Sequence, residues 1–196
     1  MSAQRSKNCL NAYRTAAITL SLLPAVTAAA QSPVVKDIPA IAREASPAVV
    51  RIVVRDLSGQ ELGSGSGFVV GSDGKIVTNY HVIHLSGTTQ ADARFTDGAS
   101  YHVGGVLATD PDTDLAVLKL QTTREFQPLR LGDSEQVQTG DRVIAIGNPL
   151  SGFSPVNTEA TVSDGIVSGI RDWPEHKMKV FQITTPILRA AAAARS

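Results

Sequence analysis

Short runs of β-branched residues, each closed by turn-forming residues before it reaches helical length, constrain this chain more than any other feature. "AVVRIVV" (48–54), "SGFVV" (66–70), "KIVT" (75–78), "YHVGGVLAT" (101–109) and "LAVLKL" (115–120) are interrupted by "SDG" at 72–74, "TDG" at 96–98 and "DPDTD" at 110–114. A second set, "RVIAIG" (142–147), "TVSDGIVSGI" (161–170) and "KVFQIT" (179–184), follows the polar stretch "LGDSEQVQTGD". Val and Ile lose little on a pleated surface and more in a helix, so runs of this length and spacing predict an all-β barrel or sandwich. Residues 120–140 form the natural joint between two halves. Helical character is confined to one amphipathic stretch, Ile38 to Ala45, stopped by Pro47. No internal repeat of fixed period is present, and the only low-complexity segment is the alanine run 190–194.

The first 30 residues follow a different plan. Arg5, Lys7 and Arg14 precede the apolar "TAAITLSLLPAV", and small residues follow as "TAAAQ". A basic start, an apolar middle and a small-residue end make a secretory signal peptide with cleavage near Ala30. A retained membrane anchor is the competing reading, but Thr15, Thr19, Ser21 and Pro24 leave the stretch short of the ~20 apolar residues a spanning helix needs. Cys9, the only cysteine, lies within this segment. The mature chain then has no disulfide and is held by its core alone, which fits an exported protein of the bacterial periplasm or a secreted one. Eighteen basic residues balance eighteen acidic ones without a long single-sign run, so charge announces neither a nucleic-acid partner nor a membrane surface.

Three features could carry chemistry. "GSGSGF" (63–68) is glycine-rich, but no Lys-Ser or Lys-Thr follows it and no helix opens behind it, so a close-packed turn or bulge entering a strand explains it better than a phosphate cradle. His81, in "TNYHVI", and Asp114, closing "DPDTD", are each unremarkable alone, since a histidine beyond a strand is more often structural and an aspartate often ends a turn. Together they supply a general base and a buried carboxylate that holds its imidazole in the proton-accepting tautomer. Their order leaves a nucleophile to be expected in the second half. His84, His102 and His176 have no evident partner that would make them catalytic, and no pair of histidines sits at a metal-ligand spacing beside a carboxylate. No cofactor is called for.

"SGSGFVV", "GKIVTNYHVI", "DPDTDLAVLKL", "LGDSEQVQTGDRVIAIGNP" and "VSDGIVSGI", in this order, resemble the trypsin-like serine proteases of the bacterial HtrA (Deg) type over residues 40–187. The resemblance implies a chymotrypsin-like double β-barrel with a catalytic cleft between barrels, His81 as base and Asp114 as orienting acid. It assigns Gly147 and Asn148 to a loop near the second barrel. It implies unfolded or misfolded polypeptides as substrates in envelope quality control, and a homotrimer. The domain plan is then a signal peptide (1–30), an N-terminal segment (31–46), a first barrel (47–120), an inter-barrel linker (121–140), a partial second barrel (141–187) and an aberrant tail (188–196).

The tail is where the resemblance stops. The family continues from "QIT.PI" into a loop of the form Ser-Pro-Gly-Ser-Ser-Gly-Gly-Pro, in which the second serine of the Ser-Ser pair is the nucleophile and backbone N–H groups form the oxyanion hole. This chain instead reads "LRAAAAARS". If the loop is encoded TCT CCG GGC AGC AGC GGC GGC CCG, loss of one nucleotide gives CTC CGG GCA GCA GCG GCG GCC CG. That translates to Leu, Arg, five alanines and Arg, as in residues 188–195. The expectation is a frameshifted nucleophile loop with the catalytic serine's slot at Ala192, an incomplete second barrel and no peptidase activity. The alternative is a non-catalytic polypeptide-binding β-barrel, a pseudoprotease.

Overall fold

The computed structural model describes residues 37–85, 89–148, 160–176 and 178–186. The signal-peptide and tail expectations (1–30 and 188–196) lie outside them. Helix α1 (Ile38–Ala45) begins at Asp37, whose Oδ1 accepts from the Ala40 N–H at 2.8 Å, with Pro39 in its first turn. Asp at the N-cap and Pro just inside it satisfy a helix start at low cost. A single 3-10 turn, Ser46–Ala48, then leads into the sheet.

Six strands follow: β1 (Val49–Asp56), β2 (Glu61–Gly71), β3 (Lys75–Thr78), β4 (Thr89–Phe95), β5 (Ser100–Asp110) and β6 (Leu115–Leu120). All neighbours are antiparallel, and the order β1-β2-β3-β6-β5-β4 closes when β4 pairs with β1, Ile52 opposite Ala93. Closure leaves this half without an open edge. Val50, Ile52, Val69, Ile76, Phe95 and Leu118 fill the interior. β1 is buried on both faces over most of its length, Arg51 on the outer face included. Val50, Ile52 and Val54 join the barrel core, while Val49 and Val53 on the other face are also buried, and β1 and α1 both contact the strand β7 described below.

Six of the eight strand runs read from sequence fall within the observed strands, and β3 (75–78), β6 (115–120) and the later run 142–147 match to the residue; "AVVRIVV" differs only at its start, since Ala48 belongs to the 3-10 turn before β1. "KVFQIT" differs only at its end, since Thr184 lies beyond the last strand. β2 begins earlier than the sequence indicated. "GSGSG" is inside the strand, paired along Val50 to Val54, with the ladder's irregularity at Val54/Arg55 where Leu62 is skipped. β4 has no counterpart in the sequence reading. Its inward positions are Ala91, Ala93 and Phe95, and alanine gives no β-branched signal; it forms because two neighbours, β1 and β5, supply its hydrogen bonds.

Residues 121–131 are bound to the barrel rather than free. Leu120, Phe126 and Leu129 donate their N–H groups to the carbonyls of Gly74, Ser72 and Val69. Phe126 stacks on Phe95 with centroids 5.0 Å apart and meets Tyr101 edge-on at 5.6 Å, closing one end of the core. The Arg124 guanidinium lies 5.3 Å from the Phe126 ring and is held by Asp97 at 2.9 Å. Phe126→Ala is expected to cost about 3 kcal/mol by leaving a cavity under Phe95, measured as a lower denaturant midpoint.

The second half is a three-stranded antiparallel sheet of β7 (Arg142–Gly147), β8 (Thr161–Trp173) and β9 (Met178–Ile183), in that order. Ser66 ties it to the barrel: its Oγ accepts the Asn148 N–H at 2.7 Å. A Cβ on Gly147 would sit 3.0 Å from that oxygen, so glycine allows the approach. The all-β class expected from sequence is the class observed, with a closed barrel and a second sheet. No helix among the described residues is long and apolar enough to cross a membrane.

Candidate active site

The site is assembled from the ends of two neighbouring strands. β3 runs out at Thr78, and the chain makes a single helical turn, α2 (Tyr80–Ile83), that carries His81. Because β6 pairs with β3, Thr78 opposite Ala116, the start of β6 brings Asp114 against that turn. Asp114 has φ 56°, the only non-glycine among the described residues with positive φ. Aspartate tolerates this left-handed backbone better than most residues, and the conformation ends the "DPDTD" turn.

Asp114 holds the turn through both its backbone and its carboxylate. Its carbonyl accepts the Tyr80 N–H at 3.1 Å and an Asn79 Nδ2–H at 3.2 Å. Its Oδ1 accepts the His81 N–H at 2.9 Å, and its Oδ2 accepts from Asn79 Nδ2 at 3.1 Å. His81 Nδ1 lies 2.7 Å from the same Oδ2. An ionised carboxylate can only accept, so the proton is on Nδ1 and the Nε2 lone pair of neutral His81 is free. That is the tautomer that can take a proton from a hydroxyl.

Burial alone would raise the Asp114 pKa. The opposing hydrogen bonds from the His81 N–H and imidazole, the His81 charge and the Asn79 amide outweigh it and hold the carboxyl below its usual value. Asp97 is depressed by its bond from the Ala99 N–H and by Arg124, and Asp73 by Lys119 and Lys75. A carboxyl whose folded pKa lies below its unfolded one stabilises the fold above the unfolded value, and that stability is lost as pH falls through the folded one. Thermal stability is therefore expected to hold steady down to the ordinary value of 3.8 and to fall below it. Asp114→Asn should remove part of that acid limb.

The sequence reading placed a buried acid here, and in this respect the structure differs. The His81 side chain is 71% exposed and that of Asp114 43%. Asp114 sits at the barrel rim after a turn, so its order comes from hydrogen bonds rather than from enclosure. Beside the turn lies a cleft of about 490 Å³ between the barrel, α1 and β7, lined by Asn79, Thr78, Phe68, Leu115, Ile41 and Ile146 among others.

The glycine-rich stretch has a part in this geometry. A Cβ on Gly65 would lie 2.4 Å from Cγ2 of Val82, the buried residue of α2, so β2 must lack a side chain there for the His81 turn to seat. The other histidines are engaged elsewhere. His84 Nδ1 is 2.8 Å from the Tyr80 hydroxyl with the rings stacked, His102 is 3.2 Å from Asp92, and His176 packs edge-on to Trp173. No group of three His, Cys, Asp or Glu side chains that could hold a metal occurs among the described residues. Asn79 was not singled out by the sequence. Its contacts are to a residue 35 positions away, which no local pattern reports.

Comparison with known proteins gives this arrangement a family. Residues 65–192, almost two thirds of the chain, match the trypsin-like peptidase domain. The chain is 45% identical over 104 residues to a probable periplasmic serine endoprotease, DegP-like, of Bartonella henselae, covering 53% of this chain and 19% of that protein. It is 40% identical over 130 residues to the chloroplastic Protease Do-like 5 of Arabidopsis thaliana, covering 61% and 38%. It is 37% identical over 133 residues to the mitochondrial serine protease HTRA2 of Bos taurus, covering 65% and 27%. The chain thus spans well under half the length of these relatives. With the all-β architecture, these matches make it a member of the trypsin-like serine protease family, of the HtrA (Deg) type.

Proposed function

We propose that His81 and Asp114 are the general base and orienting acid of a serine endopeptidase that is exported to the periplasm and acts on unfolded or misfolded polypeptides, as a homotrimer. The observation that carries this reading is the 2.7 Å contact between His81 Nδ1 and Asp114 Oδ2, within a chain that matches the trypsin-like peptidase domain. Periplasmic naming among the relatives supports export, and the basic, apolar and small-residue plan of residues 1–30 supports a signal peptide.

The proposal extends to the missing partner. A serine would accept His81's help only if it stood beside Nε2, and the slot aligned with the nucleophile is Ala192. We read residues 188–195 as the nucleophile loop in a shifted frame and this chain as catalytically silent. The division into a first barrel (47–120), a linker (121–140) and a second-barrel region from 141 belongs to the same proposal. Resequencing the gene from the Phe181 codon onward tests it. Ser-Pro-Gly-Ser-Ser-Gly-Gly-Pro and a continuing open frame are expected once one base is restored; a nucleotide sequence that encodes no such loop in any frame would refute it.

One observation favours a second reading, a non-catalytic polypeptide-binding barrel. The first six strands close on themselves around a core of their own. A selected binding protein should be monodisperse on expression. A broken enzyme, with Ile166, Met178 and Phe181 exposed on its second sheet, should aggregate.

A further inference from the structure

We infer that Asn79 is a positioning residue of the His81–Asp114 pair, its amide fixing which carboxylate oxygen faces the imidazole. The inference rests on the reading of His81 as general base and goes one residue deeper into the same site.

Asn79 occupies the N-cap of α2, a place where asparagine ordinarily turns its side chain onto the helix's own free N–H groups. Here it makes no such bond. Its Nδ2 instead donates to the Asp114 carbonyl at 3.2 Å and to Asp114 Oδ2 at 3.1 Å. The side chain has forgone capping for a clamp on a residue of another strand. Oδ2 is also the acceptor of the His81 Nδ1–H, while Oδ1 is taken by the His81 N–H. Each oxygen therefore has an assigned donor, and Asn79 distinguishes the two.

That assignment is needed because the pair is open. With Asp114 43% exposed, water competes for its oxygens, and no enclosing wall fixes the carboxylate rotamer. A rotated carboxylate would leave Nδ1 to solvent and let neutral His81 take the other tautomer, with Nε2 protonated and useless as a base. The double donation from Asn79, to carbonyl and carboxylate at once, ties the χ angles of Asp114 to its own backbone. Asn79 also lines the cleft beside the turn, so the clamp sits between that cleft and the pair.

The test reads the His81 ring by ¹⁵N NMR in the full chain with the imidazole neutral, where Nδ1–H and Nε2–H tautomers have distinct shifts. Asp114→Asn serves as the reference for complete loss of the Nδ1–H form. Asn79→Leu keeps the size and removes the donor. Asn79→Ser keeps a good N-cap residue but is too short to reach Asp114. Both are expected to move His81 at least half of the way to the Asp114→Asn shifts. If Asn79→Leu fails to fold, the serine variant alone decides. Wild-type His81 shifts in Asn79→Ser would mean that the Asn79 contacts to Asp114 do not fix the imidazole, and would overturn the inference. So would unchanged shifts in both variants. If Asp114→Asn itself leaves His81 unmoved, the base-and-acid reading fails instead, and the inference with it.

Discussion

Gly65→Ala is expected to cost about 1–3 kcal/mol and to dislodge the His81 turn, a large response to one methyl group. The new carbon would lie 2.4 Å from Cγ2 of Val82, a distance that real contacts do not tolerate, and 3.0 Å from Cγ1, which is tight. Valine cannot swing clear, because its branched Cβ is stiff about χ1 and its side chain is 7% exposed, packed in the barrel core. The turn must lift instead. It is held down by the Tyr80 and His81 N–H bonds to Asp114, so lifting it breaks the contacts that orient the imidazole. Two measurements check this: the denaturant midpoint, and the His81 ring shifts. Val82→Ala in the Gly65→Ala background should restore the shifts even though each substitution alone destabilises. If the double variant is no better than the sum of the two, the proposed collision is wrong.

Asp114→Ala is expected to be the more damaging change at the site. It removes the acceptors of the His81 N–H, the His81 Nδ1–H and one Asn79 bond, and it forces alanine into a backbone with φ 56°. Partly exposed hydrogen bonds and a left-handed alanine together argue for a loss of about 2 kcal/mol. Asp114→Asn tolerates the backbone and should lose less stability, yet it should affect the chemistry fully. One of its two positions becomes an NH₂, and facing His81 it donates to Nδ1 and drives the proton to Nε2. In any form of the chain that carries the nucleophile, that tautomer is expected to lower kcat by about 10⁴. Equal stability losses for the alanine and asparagine variants would show that the left-handed backbone matters little. A kcat insensitive to Asp114→Asn would remove Asp114 from the mechanism.

What could be read from the sequence follows from how local each cause is. β3, β6 and β7 were legible to the residue because each is a short β-branched or apolar run between turn residues. α1 was legible from its apolar spacing and from Pro47. β4 was not, because Ala91 and Ala93 are inward for reasons of space inside a narrow barrel, and alanine does not advertise a strand. The glycines of β2 were read as a sign of close approach, but what approaches, Val82, belongs to a turn 17 positions away in sequence. His81 and Asp114 could be named from their motifs, and the structure brings them together at 2.7 Å. The exposure of Asp114 and the part of Asn79 could not. Both depend on the pairing of β3 with β6, which carries Asp114 to the turn.

The most direct measurement is hydrolysis of an unfolded protein substrate by the purified chain of these 196 residues, with His81→Ala run beside it. The proposed base and acid, with alanine at the proposed nucleophile position 192, predict the same background rate for both proteins. Cleavage by the unaltered chain that His81→Ala abolishes would contradict the account, since it would require a nucleophile elsewhere in the sequence.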